Sequence, residues 1–324
     1  FQGTPAFFAL SYLKLYLDYH YPLGGTGKFV EKFVAFIQAH QGVILTNTQI
    51  NRVDLQQRQV TDIQGNTYGY RRLIWAADQK SLYRFIDLGQ FPDEKVQKAI
   101  AGRQAAIEDK TGNDSVYTLY LGVNLDKEFF ASKHSEHFFY TPKRSGQSLA
   151  GPIPVNAARE TIEKWLQKFF ELTTYEISIP VLRDSSLAPA GKTGLIISVL
   201  FDYQLTRCIE EQGWYETFKT FCEDRILDTL QASIYPDIRQ SILHRFSATP
   251  LTMEKFTHNT QGAITGWAFS NDPMPAESRL PKIMNAIKTP VPGVYQAGQW
   301  TYSPSGLPIS ILTGKLAADR VIKD

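Results

Sequence analysis

Apolar positions repeat at helical spacing near the start of the chain. Over residues 27–40 they recur every three or four positions, which places them on one face of a helix. The residues on that face are Phe29, Val30, Phe33, Val34 and Ile37. Gly42 follows, and glycine commonly ends a helix. The pattern predicts an amphipathic helix over 27–40, preceded by an apolar and aromatic helix over 4–20.

Short apolar runs bounded by turn residues come next, and such runs are typical of strands. The predicted strands cover 43–47, 50–55, 58–64 and 71–77. Gln56-Gln57 and Gly65-Asn66 supply the turns between them. These segments predict a small β-meander that ends in a buried strand.

A long mixed segment occupies residues 79–289. The predicted helices in it are 93–108, 158–172 and 204–232, and the predicted strands are 115–125, 136–141, 175–182, 194–202 and 262–268. A strand over 293–298 and a helix over 308–322 close the chain. This order of elements suggests one domain that is interrupted by another.

Composition narrows the classes of function. Apolar residues make up 43% and charged residues 20% of the 324 residues, which is typical of a globular protein. A net charge of +2 gives no electrostatic support for a nucleic-acid partner. No apolar run approaches the roughly 18 residues of a membrane span. Cys208 and Cys222 are expected to be buried free thiols. We expect a cytoplasmic location, with peripheral contact to a membrane as an open alternative.

Several stretches resemble parts of known functional motifs but lack a residue that the motif requires. The stretch AGKTG (190–194) resembles the end of a phosphate-binding loop, but Ser186 stands where that loop needs glycine. His134 and His137 lie three apart without a third clustered metal ligand. Neither GxSxG nor HExxH occurs in the sequence. Hydrolase and zinc-enzyme readings therefore have no support, and no metal site is expected.

The last segment, GVYQAGQWTYSPSGLPISILTGKLAAD (293–319), offers a ligand site. Gly298 lacks a Cβ, so another group can approach the backbone at the end of the predicted strand. Ser305 is predicted to cap the following helix, and Pro308 suits its first turn. The N–H groups around Leu307–Ser310 then lack intrahelical partners and favour an anion or a carbonyl. An ordinary strand–helix packing unit is the alternative interpretation.

Four stretches carry a resemblance to a known family. They are YPLGGTGKFVEKF, the meander over 42–78, RDSSLAPAGKTGL with SATPLTMEKFTHNTQGAITG, and the closing PGVYQAGQWTYSPSGLPISILTGKLAAD. In this order they resemble the C-terminal part of the flavin-dependent phytoene desaturase and carotenoid isomerase family, within the wider flavin amine-oxidase-like group. They span nearly the whole chain.

The resemblance implies an α+β protein in two parts. Residues 4–78 and 290–324 would be the C-terminal pieces of a Rossmann-like FAD-binding domain. Residues 79–289 would be an inserted substrate-binding domain, with a mixed, mainly antiparallel sheet flanked by helices. Phe1–Gly3 match the remnant of a protease-cleavage tag.

The resemblance also implies positions around FAD. Ile50 matches a residue whose backbone meets the adenine-nucleotide end of the cofactor. Gly298 and Gln299 match a Gly–acid pair near the ribityl and phosphate groups, although an amide replaces the usual acid. The helix start that faces the isoalloxazine ring is matched by Gly306, Leu307, Pro308 and Ile309.

One element of the family is missing from the sequence. No GxGxxG occurs, and in this family that turn holds the FAD diphosphate. It would lie before Thr4, so the chain is expected to be a truncated piece, inactive alone and free of flavin. The parent would be an FAD-dependent oxidoreductase acting on an apolar, polyene substrate, by desaturation, saturation or isomerisation. The alternatives are a flavin amine oxidase of the same fold, or a non-catalytic module that binds an apolar ligand or a partner. No catalytic residue can be assigned.

Overall fold

A computed structural model describes Ala6, Leu10 and residues 20–88 and 91–324. The chain forms two compact units. The first contains Ile44–Asp114 and Phe256–Asp324, and the second contains residues 20–43 and Ser115–Lys255. The tag remnant predicted at Phe1–Gly3 and most of the helix predicted over 4–20 lie outside the described residues.

Helices and strands alternate irregularly along the chain. The helices are α1 (Gly27–Ala39), α2 (Gln79–Phe85), α3 (Glu94–Glu108), α4 (Lys127–Ala131), α5 (Arg159–Leu172), α6 (Tyr203–Glu211), α7 (Tyr215–Gln231), α8 (Pro250–Thr257), α9 (Ile283–Ala286) and α10 (Leu307–Lys323). The strands are β1 (Ile50–Asp54), β2 (Gln59–Asp62), β3 (Thr67–Gly69), β4 (Leu73–Trp75), β5 (Ile86–Asp87), β6 (Ser115–Val123), β7 (His137–Tyr140), β8 (Tyr175–Ser178), β9 (Thr193–Phe201), β10 (Ile242–Ala248) and β11 (Val294–Gln296).

The first unit holds two small sheets. The meander has the order β3-β2-β1-β5, with antiparallel pairs except for the parallel pair of β1 and β5. Strands β4 and β11 form a separate parallel pair, in which Trp75 lies opposite Gln296. A shared apolar core joins the meander to this pair, and it includes Val53, Trp75, Ile100, Trp267, Val294 and Trp300.

The second unit is built on a five-stranded antiparallel sheet of order β10-β6-β9-β8-β7. Alternate residues of its strands are fully buried against α5 and α7, as the period of two in a strand requires. Tyr117, Leu119, Ile177, Ile197 and Phe218 belong to this core. The predicted α+β class, with a mainly antiparallel sheet and flanking helices, is confirmed.

Some predicted elements differ from the structure. Residues 43–47 form no strand. The helix predicted over 204–232 breaks into α6 and α7 at Gly213, whose φ of +79° a helix cannot include. The strand predicted over 262–268 is replaced by a 3₁₀ turn and irregular backbone, because Gly262 and Gly266 also have positive φ.

Helix α1 carries the apolar face that its sequence predicted. Phe29, Val30, Phe33 and Ile37 are nevertheless exposed, and no residue of α1 is buried. In the described part of the chain, no helix combines the length and the apolar character needed to cross a bilayer.

The two compact units do not decide which residues bind the cofactor and which bind the substrate. The assignment of 4–78 and 290–324 to the cofactor and of 79–289 to the substrate stays a prediction.

Candidate functional site

The structure places six of the seven predicted cofactor residues on one connection, between β11 and α10. Gly298 and Gln299 follow the strand, and Gly306 to Ile309 form the start of the helix. Ile50 is the first residue of β1 in the meander, where it packs against the core that also contains Val294 and Trp300. All seven residues therefore belong to the first unit.

Gly298 makes the turn after β11 possible. Its φ is +90°, a value that side chains with a Cβ rarely adopt. Its carbonyl accepts the Thr301 N–H at 3.3 Å and the Thr301 hydroxyl at 2.8 Å. A Cβ at Gly298 would lie 3.5 Å from the Ala76 carbonyl oxygen, so backbone conformation constrains this position more than space does.

Thr313 anchors the same turn, and the sequence interpretation missed it. Its fully buried hydroxyl accepts the Gly298 N–H at 3.0 Å and donates to the Ile309 carbonyl at 2.8 Å. The sequence contains one signal for it. Thr313 lies one helical turn before Ala317, so a polar residue occupies the face of α10 that packs against the sheet.

The start of α10 differs in one respect from the prediction. Gly306 is the N-cap residue, Pro308 lies in the first turn as predicted, and the side chain of Ser305 does not cap the helix. The first intrahelical bond runs from the Ser310 N–H to the Gly306 carbonyl at 2.9 Å. The N–H groups of Leu307 and Ile309 precede it and have no intrahelical acceptor. The assignment of Ser305 as the cap is thus wrong by one residue.

Ser305 is instead a buried hydroxyl at the helix start. It is 8% exposed, and its Oγ has no hydrogen-bond partner among the described residues. Buried hydroxyls are nearly always paired, so an unpaired one indicates a missing polar partner. This atom and the two N–H groups of α10 fit a group rich in carbonyl or phosphate oxygens.

The segment 259–267 packs against the turn after β11 and makes hydrogen bonds to Trp300. The Trp267 indole N–H donates to the Trp300 carbonyl at 2.9 Å, and the Trp300 indole N–H donates to Asn259 Oδ1 at 2.9 Å. Gly266 has φ +81°, and a Cβ there would overlap the Gln299 carbonyl oxygen. This close packing explains the glycine in the stretch QGAITGW.

Gln299 uses its amide as a donor. Its Nε2 lies 3.4 Å from the Ala263 carbonyl oxygen, and the side chain is half-buried. An ionised acid at this position could only accept hydrogen bonds, so it could not make this contact. The local backbone therefore accommodates a glutamine at this position.

A polar cavity of about 510 Å³ lies beside β11 in the same unit. The buried Gln296 reaches it, donating to the Ala286 carbonyl at 2.7 Å and accepting from Gln79. Arg103 donates to Gln79 Oε1 at 2.9 Å. Burial raises the pKa of Tyr83 in the same wall, and the Arg103 guanidinium opposes that rise. These bonds are internal, so the cavity wall is ordered by the chain itself.

The two histidines considered as metal ligands have other roles. His134 stacks on Phe138, with ring centroids 4.4 Å apart. His137 Nε2 lies 3.2 Å from Glu176 Oε1. Across the described ranges 20–88 and 91–324, no three His, Cys, Asp or Glu side chains are grouped so that they could hold a metal ion.

Comparison with known proteins identifies the family. A sequence profile of the family described as flavin containing amine oxidoreductase matches residues 2–322. The chain belongs to this family, as the resemblance in its sequence indicated.

Two curated relatives illustrate the similarity. A phytoene desaturase (lycopene-forming) from Pseudescherichia vulneris is 23% identical over 94% of this chain and 56% of its own length. A 4,4'-diapophytoene desaturase (4,4'-diaponeurosporene-forming) from Staphylococcus aureus is 24% identical over 81% of this chain and 47% of its own length. The chain thus spans about half the length of the curated relatives it matches.

Solved structures support the fold. A triple mutant of putrescine oxidase covers 93% of this chain, which in turn covers 54% of that protein, with a TM-score of 0.57 and 13% identity. At this identity the likeness concerns the fold alone.

Proposed function

We propose that this chain supplies part of the FAD site of an FAD-dependent oxidoreductase, and that the enzyme acts on an apolar, polyene substrate. The connection between β11 and α10 carries the proposal. It combines the Gly298 turn, the unpaired Ser305 hydroxyl and the first N–H groups of α10 within one short segment. Membership of a flavin-containing family supports the choice of flavin.

Each group of the connection has a role in the proposed site. Gly298 lets the cofactor approach the backbone, and the Leu307 and Ile309 N–H groups donate to its oxygens. The Ser305 hydroxyl gains the partner that it lacks in the described chain. Ile50 offers its backbone to the adenine end. Bound FAD supplies two-electron redox chemistry, and the residues of this chain hold and orient it.

The substrate class rests on the relatives. Their names are those of desaturases that act on phytoene and diapophytoene. We assign substrate binding to residues 79–289, and we expect substrate delivery from a membrane surface, because an apolar polyene has little solubility in water.

The full-length enzyme tests the proposal. It would be purified, its flavin measured by absorbance, and then supplied with acyclic polyenes or with small amines. New conjugated double bonds, seen as a red shift of the polyene spectrum, would support the proposal. Hydrogen peroxide release with amines alone would replace it by an amine oxidase function. A flavin-free, inactive full-length protein would leave only the binding-module alternative.

A further inference from the structure

The five-stranded sheet of the second unit has a second face. Its strands alternate, so the residues between the core positions point away from the core that packs on α5 and α7. We call this surface the outer face. Its members are Val116, Thr118, Tyr120, Gly122, His137, Phe139, Glu176, Ser178, Gly194, Ile196, Ser198, Leu200, His244, Phe246 and Ala248.

A polar row crosses this outer face. Strand register places Thr118 opposite Ser198, and Ser198 opposite Glu176. The Thr118 and Ser198 hydroxyl oxygens are 2.9 Å apart, and Glu176 Oε1 lies 3.2 Å from His137 Nε2. We call Thr118, Ser198 and Glu176 the polar row. The Glu176 side chain is 38% exposed, so its carboxylate is accessible from the outer face.

Apolar side chains flank the polar row on both sides. On one side Tyr120 lies opposite Ile196 and stacks on Phe246, with ring centroids 4.8 Å apart. On the other side Val116 lies opposite Leu200. Phe246 is 57% exposed, a large fraction for a phenyl ring. The outer face therefore suits a ligand that is mostly apolar but carries a polar group.

One of two facing glycines lowers the surface next to the aromatic pair. Gly122 and Gly194 are opposite each other, and the His244 ring lies over Gly122. Above Gly194 the space is open, since a Cβ there would meet only the Leu121 carbonyl oxygen, at 3.9 Å. A slender apolar chain fits this depression.

We propose that the polar row binds a hydroxyl group at the end of an otherwise apolar substrate, whose chain lies along Tyr120 and the Gly194 depression. This assignment rests on the proposed function, in which this part of the chain binds the substrate. Thr118 is 5% exposed and its hydroxyl is paired with Ser198, so the accessible groups of the polar row are the Ser198 hydroxyl and the Glu176 carboxylate. A pure hydrocarbon would cover these two groups without replacing their hydrogen bonds to water. A hydroxyl can donate to Glu176 and also accept from Ser198. A carboxylate-bearing ligand would be repelled by Glu176.

A matched set of polyenes tests the proposal on the chain itself. Axerophtene, retinol, retinoic acid and retinylamine share one skeleton and differ in the end group, which is hydrogen, hydroxyl, carboxylate or amine. Binding would be followed by quenching of protein fluorescence, with circular dichroism to show that each variant is folded. We expect retinol to bind about tenfold more tightly than axerophtene, and retinoic acid to bind more weakly than retinol.

Variants locate the effect. The double variant Thr118→Val/Ser198→Ala should bind retinol only as tightly as axerophtene. Its affinity for axerophtene should not fall. Glu176→Gln should restore binding of retinoic acid. Glu163→Gln is the matched control, because Glu163 also has one basic partner and a side chain that is 30% exposed, but lies on helix α5. Gly194→Val should weaken all four ligands, since it fills the depression.

Specific results would overturn the assignment. Equal binding of axerophtene and retinol would show that the polar row selects nothing. Preferential binding of retinylamine would replace the hydroxyl by an amine as the recognised group. Failure of all four ligands to bind the folded chain would overturn this assignment, whereas the proposed substrate class is tested by the polyene assay on the full-length enzyme. Flavin content of the full-length enzyme is measured separately, so the cofactor part of the proposed function stands or falls on its own.

Discussion

Replacing Thr313 with valine tests how the turn after β11 is held. Valine keeps the size and the branched Cβ of threonine but removes the hydroxyl. The Gly298 N–H, now 3.0 Å from Thr313 Oγ1, would lose its acceptor. The Ile309 carbonyl would lose its bond to the hydroxyl but keeps its place in the helical ladder.

The magnitude follows from the burial of these groups. A buried donor left without a partner costs about 1–3 kcal/mol. Gly298 is only half-buried, so we expect about 1 kcal/mol, the lower end of that range. This corresponds to a roughly fivefold increase in the population of the open turn. The loss of stability should be local. Within the connection, the Thr313 hydroxyl contacts only Gly298 and the first turn of α10.

Hydrogen exchange at the Gly298 amide is the direct assay. We expect exchange about fivefold faster in Thr313→Val than in the wild type, and near wild-type exchange in Thr313→Ser, which keeps the hydroxyl. Thr220→Val is the control, since Thr220 donates to the Glu216 carbonyl at 3.3 Å on an exposed part of α7. Unchanged protection of Gly298 in Thr313→Val would show that the bond does not hold the turn.

Further predictions concern the cofactor and the pH dependence. In the full-length enzyme, Gly298→Val should lower flavin content per chain, whereas Gly65→Val, at an exposed turn with a similar φ of +89°, should not. Gln299→Glu should retain flavin, because it introduces the acid that the sequence resemblance implies at this position; equal and severe loss in both variants at 298 and 299 would contradict the placement. The 324-residue chain alone should purify without flavin, because it contains no GxGxxG turn for the diphosphate; a stoichiometric flavin spectrum after gel filtration would contradict this. Burial raises the pKa of Asp224, but the Arg245 guanidinium and its neighbours outweigh burial and lower it overall. The stabilisation by Asp224 is therefore present above an unfolded pKa of about 3.9 and is lost as pH falls through the lower folded value, so the difference in urea midpoint between the wild type and Asp224→Asn should shrink as the pH falls below about 3.9.

Much of the secondary structure could be predicted from the sequence because its signals are local. Helix α5 (Arg159–Leu172) buries Ile162, Leu166 and Phe169 at helical spacing, and the pattern alone predicted it over 158–172. Strand β9 (Thr193–Phe201) alternates buried and half-buried residues along its whole length, close to the predicted 194–202. In such elements the periodicity and the buried face coincide.

Other elements were missed because their stability comes from distant partners. Strand β10 (Ile242–Ala248) has a weak apolar pattern, and Arg245 and Ser247 point inward to Glu223, on α7. Paired polar groups stabilise this strand, so its sequence lacks the apolar alternation that predicts a strand. The strand predicted over 262–268 is wrong for the opposite reason. The apolar residues of this segment pack around Trp267, but its glycines adopt positive φ and break the strand.

The candidate site was predictable where backbone conformation determines the residue. Gly298 could be found because only glycine suits its turn, and Pro308 because proline suits the first turn of a helix. For Thr313 the sequence shows only that a polar residue lies on the packed face of α10, because its role depends on a hydrogen bond to a residue 15 positions away. The same limit applied to Asn259 and Trp267, which support the turn through contacts that no local pattern encodes.

The polar groups of the connection between β11 and α10 are of two kinds, those paired within the chain and those left free for a ligand. The turn itself is satisfied internally: Thr313 accepts the Gly298 N–H, Thr301 donates to the Gly298 carbonyl, and the Trp267 indole donates to the Trp300 carbonyl. The start of α10 is different, since the Ser305 hydroxyl and the N–H groups of Leu307 and Ile309 are not used within the turn. A ligand that binds here therefore does not have to order the turn, and its binding is opposed by less loss of conformational entropy. The polar contacts that it gains come from the helix start, so variants at Ser305 should change ligand affinity while variants at Thr313 should change the order of the turn.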